Sequence, residues 1–313
     1  VLTLAATFAS LAPGIDVLMI AAVGMGLASG VYFIAGNPLV SELFPETVGR
    51  VMGIHGTASQ LAAVSAAPFV TVALGLGIDA VAGWRAVFAV LAVAAAVVTL
   101  LLFVTARNAD LPEAGDEDRD LLGAARTEWR TVLTGVLILG VTGFVWQGVF
   151  NFYELYMLDK GLSPTVARNA LTVVFGAGVP AFMLSGRLAD RLPHVPYLLS
   201  VLAAFIVCLF ALVSVSGLVP LLVVSAVTGY VIHSLFPAMD TYLLDTLPDA
   251  TRGSAYAVYS ASMMIVQATG SSVVGTLRGA GFGYDAVFGA AAGGLAVLLA
   301  GLVLAQRASW LPE

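Results

Sequence analysis

The chain has 313 residues, 60% of them hydrophobic and 10% charged, with a mean hydropathy of +0.99. Soluble domains carry about 25% charged residues, so a water-soluble fold is excluded. A bilayer core hides such a surface, because about 30 Å of hydrocarbon is crossed by roughly 20 apolar residues in a helix. The 19 acidic side chains outnumber the 13 basic ones, which removes the basic face that a nucleic-acid partner needs.

The chain opens inside an apolar run, Val1 to Ala12, with no charged flank. That start does not read as a signal peptide; it reads as the stub of a transmembrane helix, and the sequence is expected to be a fragment. Uncharged runs of spanning length follow at 17–41, 51–78, 86–106, 131–153, 169–186, 253–277 and 286–306. The stretch 192–239 is long enough for two helices, with the turn at Ser214-Val-Ser-Gly-Leu-Val-Pro220. With the stub, ten transmembrane helices are predicted. Cys208 is the only cysteine and stands in an apolar run, so no internal disulfide forms.

Orientation follows from the basic residues when loops are assigned alternately to two sides. One side collects Arg50, Arg107, Arg119, Arg126, Arg130, Arg187, Arg191, Arg252 and Arg307, and the other Arg85, Lys160, Arg168 and Arg278. The first side is predicted to be cytoplasmic, with the C-terminus inside. Three regions result: a partial transmembrane bundle over 1–106, a cytoplasmic connector over 107–130, and a second bundle over 131–313. The connector holds Asp110, Glu113, Asp116, Glu117, Asp118 and Asp120 and reads as a solvated linker with an amphipathic stretch on the membrane surface.

An internal repeat sets the predicted architecture. Glu42-Leu-Phe-Pro45 followed by Arg50 reappears as Asp245-Thr-Leu-Pro248 followed by Arg252. Trp84-Arg-Ala-Val-Phe88 reappears in register as Tyr284-Asp-Ala-Val-Phe288. Repeat mates lie six helices apart on the same membrane side, so the halves are parallel repeats about an axis along the membrane normal. The second half has six helices and the first has four, so two helices upstream of Val1 are expected to be missing.

With Gly186-Arg-Leu-Ala-Asp190-Arg191 where the second half should carry a loop motif, the chain resembles the major facilitator superfamily, as its third to twelfth helices. The match covers the core of that family's G-x-L-A-D-R motif and then fades: the family continues with Gly and two basic residues, and here stand Leu192, Pro193, His194 and Val195. The resemblance implies two six-helix bundles joined by a cytoplasmic loop. It also implies a cytoplasmic latch between halves, built from Gly186, Asp190, Arg191, Asp245, Arg50 and Arg252, in which Asp190 caps the third helix near Arg50. Arg187 or Arg191 is expected to pair with Asp245.

No nucleotide-binding loop, metal-ligand spacing or nucleophile turn occurs, so neither an enzyme nor a cofactor is expected. What remains are polar residues inside apolar helices, which by default face a cavity or another helix. The fifth helix places Gln147, Asn151 and Glu154 on one face, and the eighth places Tyr230, His233, Pro237 and Asp240 on another. The resemblance implies that these helices line a central cavity with the second, which adds Tyr32 and Asn37 beside Gly24, Gly26, Gly30 and Gly36. His233, Glu154 and Asp240 are the candidates for proton coupling. An imidazole exchanges protons near pH ~6.5, but a neutral histidine bonded to a neighbouring hydroxyl fits His233 equally well. Antiporters of the family show a Gly-Pro motif in the third helix, where this chain has Ala66-Ala67-Pro68.

The resemblance implies a monomeric secondary transporter in the plasma membrane that moves a small-molecule substrate by alternating access, with protons as a candidate coupling ion and efflux or uptake both open. The alternative is a non-transporting membrane sensor or scaffold of the same fold.

Overall fold

A computed structural model describes residues 1–75, 83–108 and 120–312. The acidic run Asp110 to Asp118, the end of the third predicted helix and the side chains of Ala67 and Pro68 lie outside the described residues.

The described residues form helices and no strand. That is what hydrocarbon requires, because a spanning segment must satisfy every N–H and C=O internally. Seven helices among them are long and apolar enough to cross a bilayer: Ile15–Leu43 (α2), Gly83–Arg107 (α4), Trp129–Asn151 (α6 and α7), Pro164–Ala189 (α9), His194–Ser214 (α10), Leu218–Thr246 (α11) and Tyr284–Arg307 (α14). Between and around these stand α1 (Leu2–Ser10), α3 (Val48–Gly75), α5 (Leu121–Thr127), α8 (Tyr153–Asp159), α12 (Arg252–Ala268) and α13 (Gly270–Gly279). The turn expected between 214 and 220 falls at Val215–Gly217, where Gly217 takes φ +83°, a backbone conformation that only glycine adopts freely.

The helices gather into two compact units, Val1–Leu43 with Ser65–Asp116, and Phe44–Val64 with Glu117–Glu313. In the first unit α1 packs chiefly on α4 and α2. The interface is made by small residues: Ala6, Ala9, Ala12 and Ala86 are buried, and Gly24 sits against Ala5. The Arg85 guanidinium ties the start of α4 to the end of α1 by donating to the Ala12 carbonyl at 2.6 and 3.0 Å. The repeated aromatic signature has a repeated local geometry. Trp84 packs edge-on to Phe88 with Arg85 over its ring, and in the second unit Tyr284 packs against Phe288 with Arg278 over its ring.

The second unit is built on α9 and α11, its most extensively packed pair. Gly229 makes the approach possible, since a Cβ there would run into the Val174 backbone. The first half of α3 joins the same unit through Gly49, Gly53 and Gly56 on one helix face. A Cβ on Gly53 would stand 2.5 Å from the Phe182 carbonyl, and one on Gly186 would strike the Gly49 carbonyl. Pro237 interrupts the hydrogen-bond ladder inside α11. Nearby, the Ser185 hydroxyl donates to the Ser234 carbonyl at 2.6 Å, and the Tyr197 hydroxyl donates to Ser185 at 2.8 Å. Thus α9, α10 and α11 are tied by one chain of hydroxyls.

The fifth predicted helix is less regular than its hydropathy implies. A single π turn, Val136–Gly140, separates α6 from α7, and the helix breaks at Phe152 before α8. Gly143, Gly148 and Gly270 let α7 lie close to α12 and α13, which break at Thr269. At one end of the unit, Lys160 pairs with Asp285 at 2.9 Å and donates to the Val213 carbonyl, while the Tyr156 hydroxyl donates to the same carboxylate at 2.7 Å. At the other end Arg130 donates to the Ser309 and Trp310 carbonyls, and Tyr242 donates to the Pro312 carbonyl.

Backbone-level packing at glycine has a measurable signature. Gly229→Val is expected to cost about 1–3 kcal/mol by overpacking, read by denaturant unfolding in detergent. Gly253→Ala, which meets nothing within 4 Å, is expected to stay within about 0.5 kcal/mol of wild type.

Candidate functional site

Polar groups that apolar helices retain are the natural place to look for chemistry. The described structure sorts the sequence candidates into three settings. Tyr32 and Asn37 lie in the first unit on α2, with Tyr32 half exposed and Asn37 buried. Gln147, Asn151, Glu154, Tyr230, His233 and Asp240 lie in the second unit.

His233 is the most enclosed of them, 3% exposed. Its ring lies 5.7–6.3 Å from those of Trp146, Phe175, Phe182 and Phe236, which come from α7, α9 and α11. The imidazole Nδ1 stands 2.7 Å from the Gly229 carbonyl one turn earlier. The neighbouring group expected for a neutral histidine is therefore a backbone carbonyl and not a hydroxyl. Nδ1 carries the proton in that contact, which leaves Nε2 as an acceptor.

A residue that sequence reasoning missed completes this setting. A Cβ on Gly178 would lie 2.6 Å from Gln60 Oε1 and 3.0 Å from the His233 ring, so α3, α9 and α11 bring these two polar side chains close to one glycine. Gln60 is 8% exposed, and its Oε1 is buried with no hydrogen-bond donor. An unpaired buried carbonyl costs about 1–3 kcal/mol, so this oxygen is the polar group of the setting that protein contacts leave unsatisfied. Its signal in the sequence was a lone glutamine in the apolar run 51–78.

The remaining candidates sit differently. Gln147 is half buried and Asn151 exposed, and the Asn151 amide donates back to the Gln147 carbonyl at 2.8 Å. Glu154 follows the break at Phe152, so it does not continue the helical face of the other two. It stands 3.7 Å from Arg168 with both side chains well exposed. Asp240 accepts from the Tyr256 hydroxyl at 2.8 Å, across α11 and α12. Tyr230 is 36% exposed.

The G-x-L-A-D-R residues form a third setting. Asp190 follows α9, and its two carboxylate oxygens accept from the backbone N–H of Gly49 at 2.7 Å and of Arg50 at 2.9 Å. These are first-turn amides of α3, which no intrahelical carbonyl can reach, and the carboxylate also meets the positive end of the helix dipole. Gly186 makes the approach possible by lying against Gly49 and Gly53. The expected pairing of Asp245 with Arg187 or Arg191 is not what forms. Asp245 pairs with His194 at 3.4 Å, because His194 opens α10 right beside that end of α11, whereas both arginines point to the exposed surface. Arg252 pairs with Asp249 at 2.5 Å.

The family model for the Major Facilitator Superfamily matches residues 1–223 and, again, 161–312. The chain belongs to the Major Facilitator Superfamily. Members of this superfamily are multi-pass membrane proteins, in keeping with the seven spanning helices. A probable sugar efflux transporter of Mannheimia succiniciproducens is 27% identical over 250 residues, which are 78% of this chain and 60% of that protein. An uncharacterized MFS-type transporter of Bacillus subtilis is 25% identical over 272 residues, 84% of this chain and 63% of that one. The chain thus spans less than two thirds of the length of either relative. Among solved structures, the E. coli fucose:proton symporter superposes with a TM-score of 0.73 at 12% identity, covering 97% of this chain and 82% of that one. A proton:xylose symporter superposes with a TM-score of 0.71 at 15% identity, covering 98% and 79%. At these identities the superpositions establish the superfamily fold.

The cap geometry sets an expectation. Asp190→Asn removes the charge but keeps one acceptor oxygen, so the α3 contact is expected to loosen by about 0.5–2 kcal/mol. Spin labels at Glu46 and Leu192 should then show a longer distance population, with thermal stability in detergent little changed. An unchanged distance distribution would argue against a role for the carboxylate.

Proposed function

We propose that this chain forms the body of a secondary active transporter that moves a small, neutral, hydroxyl-rich solute by alternating access. The observation that carries the reading is His233 among four aromatic rings, with the unsatisfied Gln60 Oε1 near it at Gly178. Aromatic faces pack against the apolar face of a sugar-like ring, while Gln60 Oε1 accepts from a hydroxyl and the imidazole Nε2 supplies a second polar contact. The absence of a fixed charge at this pair suits a neutral solute. The name of the Mannheimia succiniciproducens relative, a probable sugar efflux transporter, agrees with that class. Gln147, Asn151 and Tyr230 of the second unit complete the proposed cavity lining, and Tyr32 and Asn37 of the first unit are proposed to contact substrate as well.

The same proposal includes ten transmembrane helices, with the bundles at 1–106 and 131–313, a cytoplasmic connector at 107–130, and the C-terminus inside a plasma membrane. Three helical stretches beyond the seven spans, α1, α3 and the α12–α13 pair, supply the remaining crossings. In this arrangement the Asp190 cap on α3 is the closed cytoplasmic latch, and it parts when the cavity opens inward. Protons are the proposed coupling ion. Asp240, bonded to Tyr256 within the helices, is better placed to carry one than Glu154, whose carboxylate is exposed beside Arg168.

The tight aromatic enclosure of His233 is also what a sensor that binds without transporting would show. Flux separates the two. The full-length protein in proteoliposomes is expected to move a radiolabelled neutral monosaccharide, D-xylose or L-fucose, faster with a proton gradient than without. Gln60→Leu and His233→Leu are each expected to reduce that flux about tenfold or more, the cost of one buried hydrogen bond. Saturable binding with no flux above empty liposomes would establish the sensor reading instead.

A further inference from the structure

The latch motif departs from its family pattern where the family places basic residues, and the structure gives that departure a role. Asp190 and His194 are the two ends of one tight turn. The Arg191 and Leu192 amides both donate to the Leu188 carbonyl, at 3.0 and 2.9 Å, and Pro193 fixes the entry into α10. At one end of the turn the Asp190 carboxylate holds the amides of Gly49 and Arg50. At the other, His194 Nε2 stands 3.4 Å from Asp245 Oδ2 on α11. The His194 ring also lies edge-on to Tyr242, which is fully buried and bonded to the Pro312 carbonyl. The position of the cap is therefore propped from α11 through a histidine.

We propose that the His194–Asp245 pair is a titratable prop under the Asp190 cap, so that cytoplasmic pH sets how firmly the latch closes. The inference rests on the latch reading above. An arginine or lysine in this place would stay charged throughout the cellular range, whereas an imidazole changes charge near pH ~6.5. The neutral ring offers Asp245 only a polar contact at 3.4 Å, and the imidazolium adds charge attraction. Both side chains are partly accessible, 23% and 38% exposed, so protons exchange with the aqueous phase.

The charges around the ring set the sign. Asp245 is the acid that faces the ring, 3.4 Å away. His194 sits at the N-terminal end of α10, and its Nδ1 is buried with no partner. On α9 and the turn, Arg187 and Arg191 are exposed, and Asp190 is occupied by the α3 amides. On α14, which packs along α10, Arg307 is exposed; on α11, Asp240 is bonded to Tyr256. Proton uptake by His194 tightens the prop at acidic pH, and it is lost as pH rises.

The test is a distance measurement in the full-length protein, reconstituted with Cys208→Ser and spin labels at Glu46 and Leu192. The ratio of short to long distances is expected to fall about two- to fivefold between pH 5.5 and 8, the range of a partly exposed ion pair. His194→Gln and Asp245→Asn are expected to abolish that dependence, and His194→Arg to hold the short distance at every pH. A wild-type ratio independent of pH, or a His194→Gln protein that titrates like wild type, would overturn the proposal. Asp190→Asn separates the two readings. If it leaves the distances unchanged, the latch itself falls; if it lengthens them while His194→Gln still titrates, only the pH-sensing prop falls.

Discussion

Close approach of helix backbones at glycine is the constraint on which the second unit depends. In hydrocarbon no hydrophobic force drives helices together, since lipid tails are as apolar as leucine, and association relies on contact and on internal hydrogen bonds. Gly186 against Gly49 and Gly53, and Gly229 against Val174, bring backbone onto backbone. Once α3 and α9 are that close, a carboxylate at the end of α9 reaches the open amides of α3 without a long side chain. The Asp190 cap is thus a consequence of the glycine contact as much as of its own charge.

The same logic places the polar pair. Gly178 leaves just enough space for Gln60 from α3 and His233 from α11 to meet over α9. A larger residue at 178 would push one of them away. The aromatic rings around His233 keep water from the imidazole, and its Nδ1 contact to the Gly229 carbonyl fixes the ring. Their orientation is therefore set by packing.

Tension between regular helix and local contact appears at the interruptions. The π turn at Val136–Gly140, the break at Phe152, Pro237 within α11 and the break at Thr269 each free a backbone group or bend a helix. Breaks of this kind survive in membrane helices where neighbouring helices and hydroxyl side chains take up the freed groups. The Ser185 hydroxyl adds a bond to the Ser234 carbonyl, next to the His233 carbonyl that Pro237 leaves without its helical donor.

The sequence by itself determined the fold class and most helix limits, because hydropathy and charge act along the chain: the runs at 86–106, 192–239 and 286–306 become α4, the α10–α11 pair and α14. Through the family resemblance, the G-x-L-A-D-R core also pointed to Asp190 as the cap of the third helix, the place its carboxylate takes on α3. Only the tertiary structure decided which side chains meet. Gln60 is one glutamine in a long apolar run, and nothing in its neighbours along the chain says that it faces His233 across Gly178. Arg187 or Arg191 was the expected partner for Asp245, because the loops that carry them are neighbours on one side of the membrane. His194 takes the place because the turn and the start of α10 aim its ring at α11, a matter of helix direction and crossing that one-dimensional spacing does not contain.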